Sequence, residues 1–361
     1  MRPSFILFPR LLSFVYNNEW CSQEQFSAIA MLITPNLRSM HVHIRYRGSA
    51  GPGFHVSRPL SVVAERFAKL QSFKLTIYGS ESWKSSSWEA HPAPPSIAPL
   101  PVKATGMVKF ECLNLSLEDS TFKALAALPC LKSLAIRLPT NFQRLKDGLP
   151  DPSFPQLESI TIAAAFSAYF ALSAYITFPR VKMVSLQLTS VPTSEELLKF
   201  VPCIANQFSP EQVTSLSVRP LDVEGSRWDR DRLDEEHDVG TARLSILRPL
   251  FPFVRLTSLD FSPPSSFKFD DDFSEVAKAW PSLQRLFLGN HIACYVESYP
   301  TLLALNSFAL HAPQLLALGM PLRLSRRAGT PLPYDISSGI DRKSTRLNSS
   351  HSGESRMPSS A

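Results

Sequence analysis

An apolar residue, followed three positions later by a second and two positions after that by a third, recurs eleven times along this 361-residue chain at intervals of 21 to 43 residues. The series opens with Leu11, Phe14, Tyr16; Leu37, Met40, Val42; and Leu70, Phe73, Leu75. A fourth copy reads Phe110, Leu113, Leu115, and then come Leu131, Leu134, Ile136; Leu157, Ile160, Ile162; and Val181, Val184, Leu186. Val213, Leu216, Val218; Leu256, Leu259, Phe261; Leu283, Leu286, Leu288; and Leu315, Leu318, Met320 complete it. Serine stands just before the second apolar position in seven copies: Ser13, Ser39, Ser72, Ser133, Ser159, Ser215 and Ser258. Hydrophobicity alone does not select serine there, so the phase of the pattern has an independent marker. Alternate apolar positions put side chains on one face of a strand. Such a strand cannot bury that face alone, so the recurrence implies parallel strands stacked side by side.

The segments between copies carry the signals of a return path. Pro35, Pro129, Pro155, Pro179, Pro281 and Pro313 each lie two residues before a first apolar position, where a residue that cannot continue a helix separates helix from strand. Ser22 with Gln25, and Thr193 with Glu196, have capping-box spacing. The pattern predicts helices near 23–33, 61–69, 120–128, 194–202 and 273–280. The apolar recurrence is a leucine-rich-repeat strand signature. It implies an α/β leucine-rich-repeat solenoid, with parallel strands on a concave face and helices or irregular segments outside. The asparagine that tightens many extracellular repeats of this class is missing after the strands, which fits the looser intracellular style.

The repeats imply one domain over 1–326, followed by a disordered tail over 327–361. The last 21 residues, DRKSTRLNSSHSGESRMPSSA, contain seven serines and no repeat. They resemble the translation of a sequencing-library adapter, so 341–361 is expected to be an artefact without packed structure. That segment holds four basic and two acidic residues, and removing it lowers the formal charge from +6 to about +4. The N-terminal repeat has no polar cap ahead of it, as expected for a fragment of a longer protein. The five cysteines are odd in number and far apart in sequence, which implies neither a disulfide framework nor a zinc site and suits the cytoplasm or nucleus. Pro9 and Arg10 interrupt any signal-peptide core. The run between Glu158 and Arg180 is uncharged for 21 residues, long enough to span a bilayer. It opens on a repeat strand and is rich in Ala, Ser and Tyr, so the expectation is a repeat and not a membrane span.

The phrases LPCLKSL (128–134), FPQLESI (154–160) and WPSLQRL (280–286) share a hydrophobic residue, proline, one residue and then Leu-x-x-Leu or its near equivalent. This style resembles the degenerate leucine-rich repeats of fungal F-box proteins, over residues 8–324. The resemblance implies that the repeats hold a substrate, while an N-terminal F-box binds the Skp-type adaptor of a cullin ubiquitin ligase. No F-box is visible before Leu37, so adaptor binding is expected only if one lies upstream. The alternatives are a free-standing repeat adaptor and, from another class, a nucleic-acid-binding solenoid.

Residues between the buried strand positions point to the opposite face and are the candidates for contact with a protein partner. They are His41, His43, Lys74, Asn114, Arg137, Thr161, Gln187, Arg219, Asp260 and Phe287, with Arg45 just beyond; Thr76, Ala163 and Ser262 occupy equivalent positions. The first half of this face reads as basic and the middle as small and polar, which suits an acidic or phosphorylated segment. The same polarity also serves solubility. Insertions near 79–106, 222–243 and 262–272 read as loops.

No catalytic chemistry emerges. The chain has no GxSxG elbow, phosphate-binding glycine loop or HExxH, and the expectation is a protein that is not an enzyme and uses no cofactor or metal. Asp270, Asp271 and Asp272 precede a predicted helix and read as N-terminal capping charge. His41 and His43 have workable ligand spacing but no identifiable third ligand. A charge of about +4, evenly offset by acids, disfavours nucleic acid.

Overall fold

The apolar positions that recur in the sequence become the inward side of one long sheet. Eleven strands form it: β1 (Ser13–Asn18), β2 (Ser39–Arg45), β3 (Ser72–Tyr78), β4 (Lys109–Ser116), β5 (Ser133–Arg137), β6 (Ser159–Ala164), β7 (Met183–Leu188), β8 (Ser215–Pro220), β10 (Ser258–Phe261), β12 (Arg285–Leu288) and β14 (Ala317–Gly319). All neighbours are parallel and their spatial order follows the chain. Among the described residues, β9 (Thr241–Arg243), β11 (Ser266–Lys268) and β13 (Tyr295–Ser298) form a separate parallel sheet. A computed structural model describes residues 8–18, 34–45, 68–78, 103–139, 142, 148–221, 241–263, 266–269, 273–289, 295–298, 300 and 303–321.

Register is held by a repeated backbone fork. The Leu12 carbonyl accepts from the N–H groups of Arg38 at 2.8 Å and Ser39 at 3.0 Å. The Arg38 carbonyl does the same for Gln71 and Ser72, and the motif continues through every repeat to Gln284, which accepts from Leu316 and Ala317. The serine position therefore opens each strand in line with its neighbours, as Ser13↔Ser39, Ser39↔Ser72, Ser133↔Ser159 and Ser215↔Ser258 show. Each proline two before the first apolar residue sits in the turn that leads into this fork.

Three apolar positions per repeat are fully buried through the interior of the stack, as at Leu37, Met40, Val42 and Leu256, Leu259, Phe261. Burying one such side chain contributes about 1.5–3 kcal/mol, and the shared wall of them replaces a globular core. Leu11, Phe14, Tyr16 and Leu315, Leu318, Met320 pack at its two ends with partial burial. The architecture is a leucine-rich-repeat solenoid of the α/β class.

The fourth repeat departs from the sequence reading. Phe110 pairs with Phe73 and with Leu134, both second apolar positions, and Cys112 pairs with Ile136. The true triplet is Met107, Phe110, Cys112, each 0% exposed. Leu113 and Leu115 are only partly buried, and the register shifts between Cys112 and Ser116. Phe73 and Phe110 stack with ring centroids 5.7 Å apart, which fills the position a mispaired Leu113 would have taken.

Helices α1 (Asp119–Ala126), α2 (Phe166–Ser173), α3 (Ser194–Gln207), α4 (Phe273–Ala279) and α5 (Leu303–His311) return the chain, with a 3₁₀ turn at Leu244–Leu250. The capping box at α3 is formed: the Glu196 N–H donates to Thr193 Oγ1 at 3.2 Å, and the Thr193 N–H donates to Glu196 Oε2 at 2.9 Å. Sequence reading ended this helix at 202, yet it runs past Pro202 to Gln207. Leu197, Phe200, Val201 and Ile204 are all buried, and that packing offsets the roughly 3 kcal/mol a helix-interior proline costs. The uncharged stretch after Glu158 divides into β6 and α2, whose Phe166, Ala168, Tyr169 and Leu172 are buried. No helix among the described residues is long and apolar enough to cross a membrane. The insertion at 262–272, read as a loop, contains β11. The predicted helix 23–33, residues 61–67 of the predicted helix 61–69, the Ser22–Gln25 capping box, residues 79–102 and 222–240, Asp270–Asp272 and the tail beyond 321 lie outside the described residues, and Ala68 and Lys69 form a turn.

Candidate protein-interaction face

Strand alternation gives the sheet an open side opposite its apolar wall. Its central row reads, in register, Val15, His41, Lys74, Glu111, Ala135, Thr161, Ser185, Ser217, Asp260, Phe287 and Gly319. All of these after Val15 are partly exposed. Ala135, Thr161, Ser185 and Ser217 place four short side chains side by side, so the middle of the face is a low floor. Arg137, Gln187 and Arg219 stand two positions further along the same strands and border it.

The structure redistributes the charge expected on this face. Because the fourth repeat is shifted, its outward position is held by Glu111 and not Asn114, which lies beyond Cys112 where the register shifts. Lys74 is ion-paired with Glu111, and Lys109 approaches the same carboxylate at 3.5 Å. Arg219 Nε lies 3.5 Å from Asp260 Oδ2 and donates to Ser217 Oγ at 3.0 Å. The Ser262 hydroxyl donates to the other Asp260 oxygen at 3.0 Å. Two of the predicted cationic contacts, Lys74 and Arg219, are thus neutralised by neighbours on the face, and the first half, expected to be basic, carries an acid in its central row. Glu111 was hidden from sequence reading because its visibility depends on knowing which residue faces Lys74.

Other predicted contacts divide in two. His41 and His43 are partly buried on β2, and Arg45 ends that strand. Thr161, Gln187 and Phe287 are partly exposed and reachable. Arg137 is partly buried, and burial draws its guanidinium below the usual arginine range. Thr76, Ala163 and Ser262, taken as outward, are buried. The position two beyond the central row therefore closes over in these three repeats, while Gln187 and Arg219 at the same position stay accessible.

Among the described residues, no three His, Cys, Asp or Glu side chains gather to hold a metal. Cys112 is buried, and that burial pushes its thiol up to about 12. Cys130 is exposed and Cys203 partly so, and all three are free thiols.

No model of a known protein family matches the chain, and no curated protein matches it. Among solved structures, it is similar to an internalin (inlF) from Listeria monocytogenes str. 4b F2365, at a TM-score of 0.35 and 14% identity, covering 87% of this chain and 88% of that one. The fold assignment stands on the strand register and not on that likeness.

Proposed function

We propose that this protein is a non-enzymatic scaffold that binds a protein partner across the open face of its sheet. The observation that supports this most directly is the low floor formed by Ala135, Thr161, Ser185 and Ser217. Such a floor accepts a polypeptide segment laid across several strands, while Arg137, Gln187 and Arg219 offer polar contacts along its side. On this reading the open face is the concave face of the solenoid, and Phe287 supplies a partly exposed aromatic anchor at one end.

The shared phrasing of LPCLKSL, FPQLESI and WPSLQRL supports a narrower form, in which the repeats are the substrate-holding arm of an F-box-type ubiquitin ligase receptor. Capture of a Skp-type adaptor by the full-length native protein tests that form separately.

The central test uses a partner cross-linked to the full chain in extracts of its native source. Ser185→Trp raises the floor and is expected to abolish its capture with the circular dichroism spectrum unchanged. Leu198→Trp, at a 67% exposed position on α3, leaves capture intact. Equal capture by Ser185→Trp and the unmodified chain refutes binding on this face.

A further inference from the structure

The open face is charge-matched, but the rim where its strands begin is not, and we propose that this rim docks an acidic polypeptide segment running across the strands. The proposal rests on the protein-interaction reading above and specifies the chemistry of the partner.

Three rows make up the rim, two of them held in line by the forked carbonyls and the third lying two residues before each carbonyl. In the turn residue before the first apolar position stand Arg10, Lys69, Arg180 and Arg255. The residue after it supplies Arg38, Lys132 and Lys182, and the strand-opening position adds Lys109 and Arg285. All nine are exposed. The same rows contain one acid, Glu158. A chain with 37 basic and 31 acidic residues does not yield nine to one along a register-locked surface from composition alone.

That acid is already engaged. Glu158 Oε1 lies 3.7 Å from Lys132 Nζ, and its Oε2 lies 3.2 Å from Lys182 Nζ. Side chains of adjacent repeats meet along the rim elsewhere too, where Lys69 Nζ donates to Asn36 Oδ1 at 2.9 Å. Arg10, Arg38, Arg180 and Arg285 have no ion-pair partner among the described residues.

Spacing and side-chain type then decide between anionic partners. Strands about 4.8 Å apart put Arg10 and Arg285, nine strands apart, roughly 43 Å from each other, the reach of about 13 extended residues. Serine hydroxyls at the strand openings lie between the cations and can donate to carboxylates. No Phe, Tyr or Trp occurs in the three rows, so the rim offers nothing on which unpaired bases stack. A flexible carboxylate-rich segment satisfies the row, and a single-stranded nucleic acid leaves its bases unheld.

The test measures anisotropy of a labelled fifteen-residue polyglutamate peptide titrated with the full chain at low and at physiological salt. The variant Arg38→Ala/Arg180→Ala/Arg285→Ala removes three exposed cations that no described carboxylate uses. Its expected affinity is about tenfold lower, with a shallower salt dependence, while Ser185→Trp binds as the unmodified chain does. Unchanged affinity in the triple variant overturns the proposal, as does failure of the unmodified chain to bind the peptide at low salt. Tighter binding of a thymidine oligonucleotide of equal charge also overturns it, and reassigns the rim to nucleic acid. Capture of the native partner by the triple variant, together with loss of that capture by Ser185→Trp, would sink the rim alone and leave the open-face reading standing.

Discussion

Tyr169 on α2 gives a clean measure of what joins the helical layer behind the floor. Its hydroxyl donates to Gln207 Oε1 at 2.6 Å, and the two residues are 1% and 2% exposed. The Gln207 main-chain carbonyl accepts from the Phe178 N–H at 2.8 Å, so the same residue also anchors the chain entering the next strand. Tyr169→Phe keeps the edge-on ring contact with Phe200, at 5.1 Å between centroids, and deletes only the hydroxyl. Gln207 Nε2 already lacks a partner, so the variant leaves the whole buried amide unpaired, at a cost of about 1–3 kcal/mol. Gln207→Leu strands the tyrosine hydroxyl instead but also removes the unpaired amide. The double variant replaces both partners by apolar groups and is expected to be more stable than Tyr169→Phe alone, with a coupling of at least about 1 kcal/mol. Urea unfolding followed by circular dichroism reads this directly. For an m-value of about 3 kcal/mol/M, Tyr169→Phe lowers the midpoint by roughly 0.3–1 M. Burial, and then the charge of Cys203, raise the tyrosine pKa well above its usual value. The hydroxyl stays protonated and the shift is flat through the neutral range. A change below about 0.3 kcal/mol, or strict additivity in the double variant, refutes the pairing.

Two further outcomes follow from the register and the rim. Cys112→Asp places a carboxylate where the native side chain is 0% exposed and is expected to lose the cooperative urea transition, whereas Leu113→Asp retains it; the reverse result restores the Leu113 triplet. Hydrogen bonding and attraction from Lys182, then attraction from Lys132, hold the Glu158 carboxyl below its usual 4.5. Its stabilising effect is present above 4.5 and is lost as the pH falls from there through the lowered value. The midpoint difference between the unmodified chain and Glu158→Gln should shrink over that interval and under high salt, and a constant difference would show that the ion pairs do not act.

The apolar wall was legible because burial demands the same three positions in each repeat, and the serine marker fixed their phase. The fourth repeat failed because Phe110, Leu113 and Leu115 also satisfy the spacing. Cysteine at 112 reads as a weaker hydrophobe than leucine, and only pairing with Phe73 and Leu134 decides between the two phases. That slip concealed Glu111, and with it the neutralisation of Lys74. Helix α2 gave little periodic signal because Phe166, Ala168, Tyr169 and Leu172 bury several of its sides at once. The second sheet has strands of three or four residues, too short for alternation to stand out. The helix expected over 194–202 runs on past Pro202 because the burial of Ile204 beyond it extends the helix.

The forked carbonyl separates where this protein can change length from where it cannot. Each fork spans only the residue after the first apolar position and the two that open the next strand, so it is indifferent to how many residues travel between one strand's end and the next entry turn. Successive entries here are separated by as few as 24 residues and as many as 43, and the strands still open in line. Loops, tags or whole modules inserted into the return path should therefore leave the addresses of the face unchanged, while a single residue added between Pro179 and Ser185 would shift the addresses of that one strand and turn its side chains to the opposite face.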